Sequence, residues 1–179
     1  MKKIIVVILI VLCQSATAQV ETDVSIFHRL LLLNSQNELM VVKIEKANFW
    51  VTPGLYQTKK QTLKNGLDSI ASTYGIEIKE LKLNGTFLLK RDLNGKTTTS
   101  MRNVFTAKIK NSNIKKPDGI EEIQWLPVDK ALEKITFPHI NLMIKQLMTK
   151  PDKVWGGTLL QYKTNNAWKT KIIEEFYTL

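Results

Sequence analysis

Cysteine and histidine are almost absent from this sequence. It contains one cysteine, Cys13, and two histidines, His28 and His139. One cysteine excludes an intrachain disulfide, and neither histidine has a partner at a metal-binding spacing, which argues against a structural zinc site. No Gly-x-Ser-x-Gly elbow, glycine-rich phosphate loop, internal repeat or low-complexity tract is present. We therefore expect neither a serine hydrolase nor a P-loop protein, and we place both histidines at the boundary or surface of the core.

Arginine is also scarce, although the chain is strongly basic. Only Arg29, Arg91 and Arg102 are arginine among 26 basic residues, and the formal net charge is +10. A lysine-rich surface gives a diffuse positive field, whereas arginine supplies the planar fork that binds phosphate or guanine at two points. The composition favours an anionic partner. It argues against nucleic-acid binding, which relies on interleaved arginines and aromatic residues. A solvated basic surface is the simplest alternative.

The long apolar runs that span membranes are missing. The run at 4–13 has ten residues, whereas a bilayer-spanning helix needs roughly 20. Two lysines precede it, and Ala16-Thr17-Ala18 follows it, which is typical of a secretory signal peptide cleaved after Ala18. A retained anchor is the alternative. A lipid anchor on Cys13 is disfavoured by the bulky residue before it.

Cleavage at this site divides the chain into a signal peptide, residues 1–18, and a single domain, residues 19–179. The mature protein then has no cysteine and no membrane span. Its net charge falls to +8, because the segment holds two lysines and no acid. A domain of this length can bury a core without disulfides. We expect the mature protein to be periplasmic or secreted.

Strand and helix patterns alternate along the mature chain. The predicted strands are 24–33, 38–46, 76–91, 103–110, 120–128, 154–163 and 167–177, and the predicted helices are 63–74, 128–135 and 139–148. Turn residues at 92–100 predict a loop between two strands, and the two glycines of 155–157 predict a kink or bulge. This order indicates an α/β sandwich with a mixed sheet.

The helix predicted at 63–74 has clear start and stop signals. Leu63, Leu67, Ile70 and Tyr74 form one apolar stripe, and Gly75 follows at the position of a left-handed C-cap. Ile76 is the expected apolar partner of that cap. A Pro-Gly turn at 53–54 precedes the helix.

These features together resemble the Nudix superfamily, whose members hydrolyse a nucleoside diphosphate linked to another group. The resemblance is carried by "FWVTPG", by the helix ending in "YGI", and by "IEEIQWLPVDKALEKITFPHI", and it covers most of the mature chain. It implies a Nudix-like α/β/α sandwich, a mixed β-sheet flanked by helices. The family motif runs from a glycine through glutamates to a closing glycine and apolar residue. Its frame falls without a gap on Pro53, Gly54, Gly75 and Ile76.

The acidic positions of that motif hold other residues. The first glutamate position is Lys60, or Gln61 after a one-residue shift; the arginine position is Asp68; the other glutamate positions are Ser69, Ser72 and Thr73. Magnesium activates water and neutralises charge in diphosphate hydrolysis, and it needs carboxylate ligands. The resemblance therefore implies a family frame without catalytic residues, metal ligands or a cofactor.

Two functions remain open. The first is a ligand-binding or interaction module for an anionic small molecule, such as a nucleotide, or for a protein. Its candidate ligand-binding residues are Trp50, Lys59, Lys60, Lys64, Ser69, Ser72 and Thr73. The second is a divergent Nudix hydrolase with Mg or Mn held by other acids, for which Glu121 and Glu122 are the candidates. In a strand these two side chains point to opposite faces, so only one could face the cleft.

Overall fold

The structure, a computed structural model, describes residues 24–110 and 113–179. The predicted signal peptide, residues 1–18, and its cleavage site lie outside the described residues. Within the described part, no helix is long and apolar enough to cross a membrane.

The described chain alternates strands and helices much as the sequence predicts. The strands are β1 (Ser25–Leu33), β2 (Leu39–Ile44), β3 (Phe49–Val51), β4 (Gly54–Tyr56), β5 (Ile78–Leu93), β6 (Lys96–Ile109), β7 (Ile120–Leu126), β8 (Trp155–Thr164) and β9 (Ala167–Thr178). The helices are α1 (Leu63–Thr73), α2 (Val128–Lys134) and α3 (Pro138–Thr149).

All the strands belong to one mixed sheet. Its main order is β3-β2-β1-β6-β5-β8-β9, with β4 added to β1 and β7 added to β2. The pairs β1–β6 and β5–β8 are parallel, and the other pairs are antiparallel. The helices lie on both faces of this sheet, which confirms the predicted α/β/α sandwich.

Alternating side chains of the central strands build one core on each face of the sheet. The α1-side core is formed by Leu30, Leu32, Met40, Val42, Leu67, Ile70, Ala71, Tyr74, Ile76, Phe105 and Ala107. The α3-side core includes Leu31, Leu39, Val41, Phe87, Leu89, Val104, Ile140, Met143, Ile144 and Leu147. Strands β1 and β2 contribute to both cores, which explains why their sequences read as continuous apolar runs rather than alternating ones.

The hairpin β5–β6 corrects one sequence prediction. The predicted loop at 92–100 is mostly strand, because only Asn94 and Gly95 lie between the two elements. Both residues have positive φ, 55° and 79°, as a tight two-residue hairpin turn requires. The threonines after them have high strand propensity and continue the pairing. The predicted irregularity near 155–157 is confirmed, since the β8–β9 register shifts on both sides of Thr158.

Helix α1 is capped at both ends by its own sequence. The Thr62 side chain accepts a hydrogen bond from the Asn65 N–H. At the other end Gly75 has φ 68°, and the Ile76 N–H donates to the Ala71 carbonyl at 3.0 Å. This is the six-to-one bond of a glycine C-cap, so the predicted helix stop is confirmed. The predicted apolar stripe is buried except for Leu63, which is 48% exposed in the first turn.

Gly54 brings the Pro-Gly turn into direct contact with β1. A Cβ atom on Gly54 would lie 2.7 Å from the His28 carbonyl oxygen and 2.6 Å from the Phe27 ring. The carbonyl belongs to a paired strand and cannot move independently. The absence of a side chain at Gly54 therefore allows this close approach.

We expect Gly54→Ala to lower the free energy of unfolding by about 1–3 kcal/mol, the usual range for an overpacked site. Gly66→Ala is the matched control. Its Cβ would meet only side-chain atoms, Gln57 Oε1 at 3.4 Å and Leu55 Cδ1 at 3.9 Å, and helix α1 would gain about 1 kcal/mol of propensity. Urea unfolding of both variants checks this. Equal effects of the two substitutions would contradict it.

Candidate functional site

A cavity opens where β1 and β2 separate. These strands pair at Leu33 and Leu39, but the start of β1 pairs instead with β4, while β2 continues along β3 and β7. The resulting cavity has a volume of ≈ 250 Å³. Its lining is Phe27, Arg29, Val42, Ile44, Val51, Thr52, Pro53, Gly54 and Tyr74. The predicted motif frame thus contributes its Pro-Gly turn and the last residue of the apolar stripe.

Arg29 supplies the positive charge of this cavity. Its side chain is buried, and Nη1 donates to the Thr52 carbonyl at 3.0 Å and to Thr52 Oγ1 at 2.7 Å. Nε is buried and has no hydrogen-bond partner among the described residues. Burial, with the nearby Arg102 charge, lowers the pKa of Arg29 to about 9. Sequence reasoning did not select Arg29, although its position inside an apolar strand was a usable signal.

The three hydroxyls predicted on α1 do lie together, but their protons are already engaged. Ser69 Oγ donates to the Gly66 carbonyl at 2.8 Å, and Thr73 Oγ1 donates to the Ser69 carbonyl at 2.8 Å. Ser72 Oγ also donates to the Ser69 carbonyl, at 3.2 Å. These are local helix bonds of the kind that serine and threonine commonly make. A ligand could still use the oxygen lone pairs, which are neutral and weak ligands for a hard cation.

The predicted lysine group is solvated. Lys59 and Lys60 lie in an exposed turn before α1. Lys64 is 76% exposed and pairs with Asp68 at 2.6 Å across one helical turn. An exposed pair of this kind contributes little to stability, up to about 1 kcal/mol. It does neutralise the single carboxylate of α1.

The two alternative acids have local partners of their own. Glu121 forms an ion pair with Lys43 at 2.6 Å, and Glu122 accepts a hydrogen bond from Gln124. Strand β7 has a bulge at Glu121, because Lys43 pairs with Glu122 whereas the next residue of β2 pairs with Ile120. The simple alternation that we expected for the two glutamates therefore does not hold at this point.

The donor set does not fit a magnesium site. Among residues 24–110 and 113–179, no three histidine, aspartate or glutamate side chains are grouped closely enough to hold a metal ion. A groove beside α1, of ≈ 270 Å³, is lined by two carboxylate residues, Asp68 and Glu77, together with Ser72 and Lys110. A lysine in that groove adds a positive charge that opposes a divalent cation.

Trp50 lies apart from the α1 hydroxyls. It is half-buried in β3 and packs against the α3-side core, with Lys134 Nζ 4.2 Å from its ring centroid. Its backbone exchanges two hydrogen bonds with Thr136. A contact between Trp50 and a ligand stays a prediction. The Trp50 side chain packs towards the α3-side core, whereas Ser69, Ser72 and Thr73 lie on α1.

Both histidines are buried, which corrects the expectation that they lie at the boundary or surface. His28 Nε2 is 2.9 Å from Gln57 Oε1, so a polar residue of the loop before α1 covers it. His139 lies in the first turn of α3, and its Nδ1 has no partner in the described structure. Burial and then the charges of the three arginines hold the pKa of His139 well below its usual value.

We expect Arg29→Met to raise the free energy of unfolding of the ligand-free protein by about 1–2 kcal/mol, the low end of the range for replacing buried charges with apolar groups. Because burial lowers the pKa of Arg29 to about 9, the native state binds that proton less tightly than the unfolded chain does. The charged side chain therefore opposes folding at every pH below about 9. Lost hydrogen bonds to Thr52 offset part of the gain.

Urea unfolding at pH 7 measures this effect, with Lys96→Met as a control that removes an exposed charge. A loss of stability in Arg29→Met larger than that in the control would contradict the idea that Arg29 is kept at the expense of stability.

No family model matches the chain, and no curated protein matches it. Solved structures do match. A mutator MutT protein from Bacillus halodurans superposes with a TM-score of 0.68 at 16% identity, over 87% of this chain and 97% of that protein. A Nudix hydrolase from Nitrosomonas europaea has a TM-score of 0.59 at 15% identity, over 79% and 81%.

A Caenorhabditis elegans Ap4A hydrolase is similar at lower identity. Its TM-score is 0.55 at 9% identity, over 72% of this chain and 98% of that protein. At these identities the similarities show the fold alone. The chain therefore has the fold of the Nudix and MutT hydrolases, as its motif frame predicts.

Proposed function

We propose that this Nudix-fold chain binds an anionic small molecule of the nucleotide type and does not perform metal-dependent diphosphate hydrolysis. The observation that carries the proposal is the chemistry of α1. Its face at the family's glutamate positions bears Ser69, Ser72 and Thr73, and its one carboxylate, Asp68, is paired with Lys64.

The physical reason is that water attacks the negatively charged diphosphate linkage slowly. A metal ion must neutralise charge on the phosphates and activate the attacking water. Magnesium takes oxygen ligands, binds most firmly to carboxylates, and loses its bound water reluctantly. Neutral hydroxyls whose protons are held by helix carbonyls cannot replace three carboxylates. The degenerate motif is therefore proposed to keep a structural role, the Pro-Gly turn and the glycine cap, without the catalytic one.

The ligand class follows from charge and from structural similarity. The chain is strongly basic, and a cavity beside the motif frame is lined by Arg29. One of the similar structures is an Ap4A hydrolase, whose substrate is a nucleotide derivative. A nucleotide supplies both an anionic group for such a cavity and an apolar ring face for its aromatic lining.

A divergent hydrolase is the second candidate. Asp68 and Glu77 line the groove beside α1, which offers this candidate two carboxylates in addition to Glu121 and Glu122. Lys110 in that groove and Lys64 against Asp68 oppose this candidate.

Isothermal titration of residues 19–179 tests the proposal directly. We expect no binding of Mg²⁺ or Mn²⁺, and binding of ADP-ribose or a nucleoside triphosphate that is unchanged by metal. The variant Ser69→Glu with Ser72→Glu and Thr73→Glu rebuilds the acidic face and is expected to gain Mn²⁺ binding. Stoichiometric metal binding by the unmodified chain, coupled to nucleotide turnover, would overturn the proposal in favour of the divergent hydrolase.

We further propose that residues 1–18 are removed on export and that the mature protein acts in the periplasm or outside the cell. The support is the sequence pattern of this segment alone. Intact-mass measurement of protein recovered from the producing cells is expected to show a chain beginning at Gln19. A full-length mass in the membrane fraction would indicate a retained anchor instead.

A further inference from the structure

Arg29 has a second arginine, Arg102, as its neighbour. The Arg29 guanidinium carbon lies 5.1 Å from the centroid of the Phe27 ring, and that of Arg102 lies 4.8 Å from the same centroid. Phe27 and Arg102 are register partners on the parallel strands β1 and β6. Both arginines are at most 5% exposed. Two like charges are therefore buried against one aromatic ring.

Neither arginine has a carboxylate partner among the described residues. In the part of the chain that the structure describes, no ion pair includes Arg29 or Arg102. Arg102 donates to Ser100 Oγ at 3.0 Å and to the Tyr56 hydroxyl at 3.3 Å, and Arg29 donates to Thr52. All these acceptors are neutral. Buried charges are normally paired, so an uncompensated pair of guanidinium groups indicates a counter-ion from outside the chain.

The positive charge extends beyond these two side chains. The first turn of α3 carries no acid and has no side-chain cap, so the positive end of its dipole is not neutralised locally. His139 in that turn is close enough to Arg29, Arg102 and Arg91 for all three charges to lower its pKa, after burial. A buried histidine held neutral adds no further charge but leaves an unpaired ring nitrogen, Nδ1.

We propose that Arg29 and Arg102 form an oxyanion subsite that receives a phosphoryl or carboxylate group through the cavity between β1 and β2. The inference rests on the proposed function and names the part of the site that holds the anion. Arg29 lines the cavity and has a buried Nε–H without a partner. Phe27 and Tyr74 provide aromatic walls, and the half-exposed Tyr56 provides a boundary with solvent. The exposed lysines before α1 guide the ligand rather than hold it.

NMR spectroscopy of the arginine side chains offers a direct test, because the chain has only three arginines. A ¹⁵N-labelled protein should show three Nε–Hε cross-peaks, assigned by single arginine-to-lysine variants. Inorganic phosphate, pyrophosphate and acetate are titrated separately at constant ionic strength, with sodium chloride as the control. We expect pyrophosphate or acetate to shift the Arg29 and Arg102 peaks. The Arg91 peak should move least, because the Arg91 guanidinium lies over the Trp168 ring, whereas the other two guanidinium groups lie against Phe27 in the cavity lining.

The affinity measurement uses variants of the same protein. Arg29→Met is expected to weaken binding of the effective anion at least tenfold while its melting temperature, without ligand, does not fall. Arg29→Lys should retain part of the affinity, because it keeps the charge and loses the fork. Lys96→Met, an exposed hairpin residue, should bind as the unmodified protein does. The preference between pyrophosphate and acetate distinguishes a phosphoryl ligand from a carboxylate.

Results that overturn the oxyanion subsite can be distinguished from results that overturn the proposed function. Nucleotide binding that survives Arg29→Met but is lost in Lys60→Glu would overturn the subsite and leave the proposed function standing. An unmodified protein that responds to these anions only as it does to sodium chloride would mean that ordered water satisfies Arg29, which also overturns the subsite. If the unmodified protein binds no nucleotide, the isothermal titration will show it, and that result would overturn the proposed function.

Discussion

The pairing of β1 with two different strands on one side determines the architecture of this protein. The end of β1 pairs with β2, whereas its beginning pairs with β4, and the Pro-Gly turn connects β4 to β3, which is the neighbour of β2. The Pro53 carbonyl accepts a hydrogen bond from the Leu30 N–H at 3.0 Å, which holds the turn against the strand. Because β2 has to diverge from β1 to reach β3 and β7, a cavity forms between them. Gly54 permits the close approach of the Pro-Gly turn to β1, and α1 covers one face of the cavity.

The cavity combines a stabilising frame with a destabilising side chain. Apolar residues of β1 and β2 are buried in both cores, where each such side chain contributes about 1.5–3 kcal/mol relative to an exposed one. Arg29 opposes this, because burial without an acid lowers the pKa of its guanidinium to about 9. Proteins often keep a side chain that lowers folding stability at a site where it is needed to bind a ligand. A bound anion would supply the negative counter-charge that no described carboxylate gives Arg29 and Arg102, and it would stabilise the folded state.

The fold could be predicted from sequence where local signals were strong. The stripe from Leu67 to Tyr74 and the glycine at 75 specify α1, because spacing and backbone conformation are properties of the segment itself. Strands β3 and β4 were missed because each has only three residues, too few to show a periodic pattern, and the pairing of β4 with β1 is a long-range contact. The loop at 92–100 was overextended, since polar threonines suit an exposed strand as well as a loop.

The candidate site was harder to predict for a related reason. Lys59, Lys60 and Lys64 attract attention because they are close in sequence, yet they are exposed. Arg29 and Arg102 are distant in sequence and meet only because β1 and β6 are parallel neighbours. Burial of a charge depends on the complete fold, so sequence alone could show only that an arginine interrupts an apolar strand. Comparison with the family's motif predicts which positions of α1 lack acids, whereas the residues that we propose to supply charge could not be predicted from sequence.

One crystallographic measurement tests the central claim, that this fold binds an oxyanion in place of a catalytic metal. Crystals of the protein would be soaked with tungstate, a phosphate-like oxyanion, and with Mn²⁺, and both would be located by anomalous scattering. We expect a tungsten peak in contact with the Arg29 guanidinium and no manganese peak beside α1. A manganese peak at Ser69 and Ser72, or between Asp68 and Glu77, with no tungsten near Arg29, would contradict it.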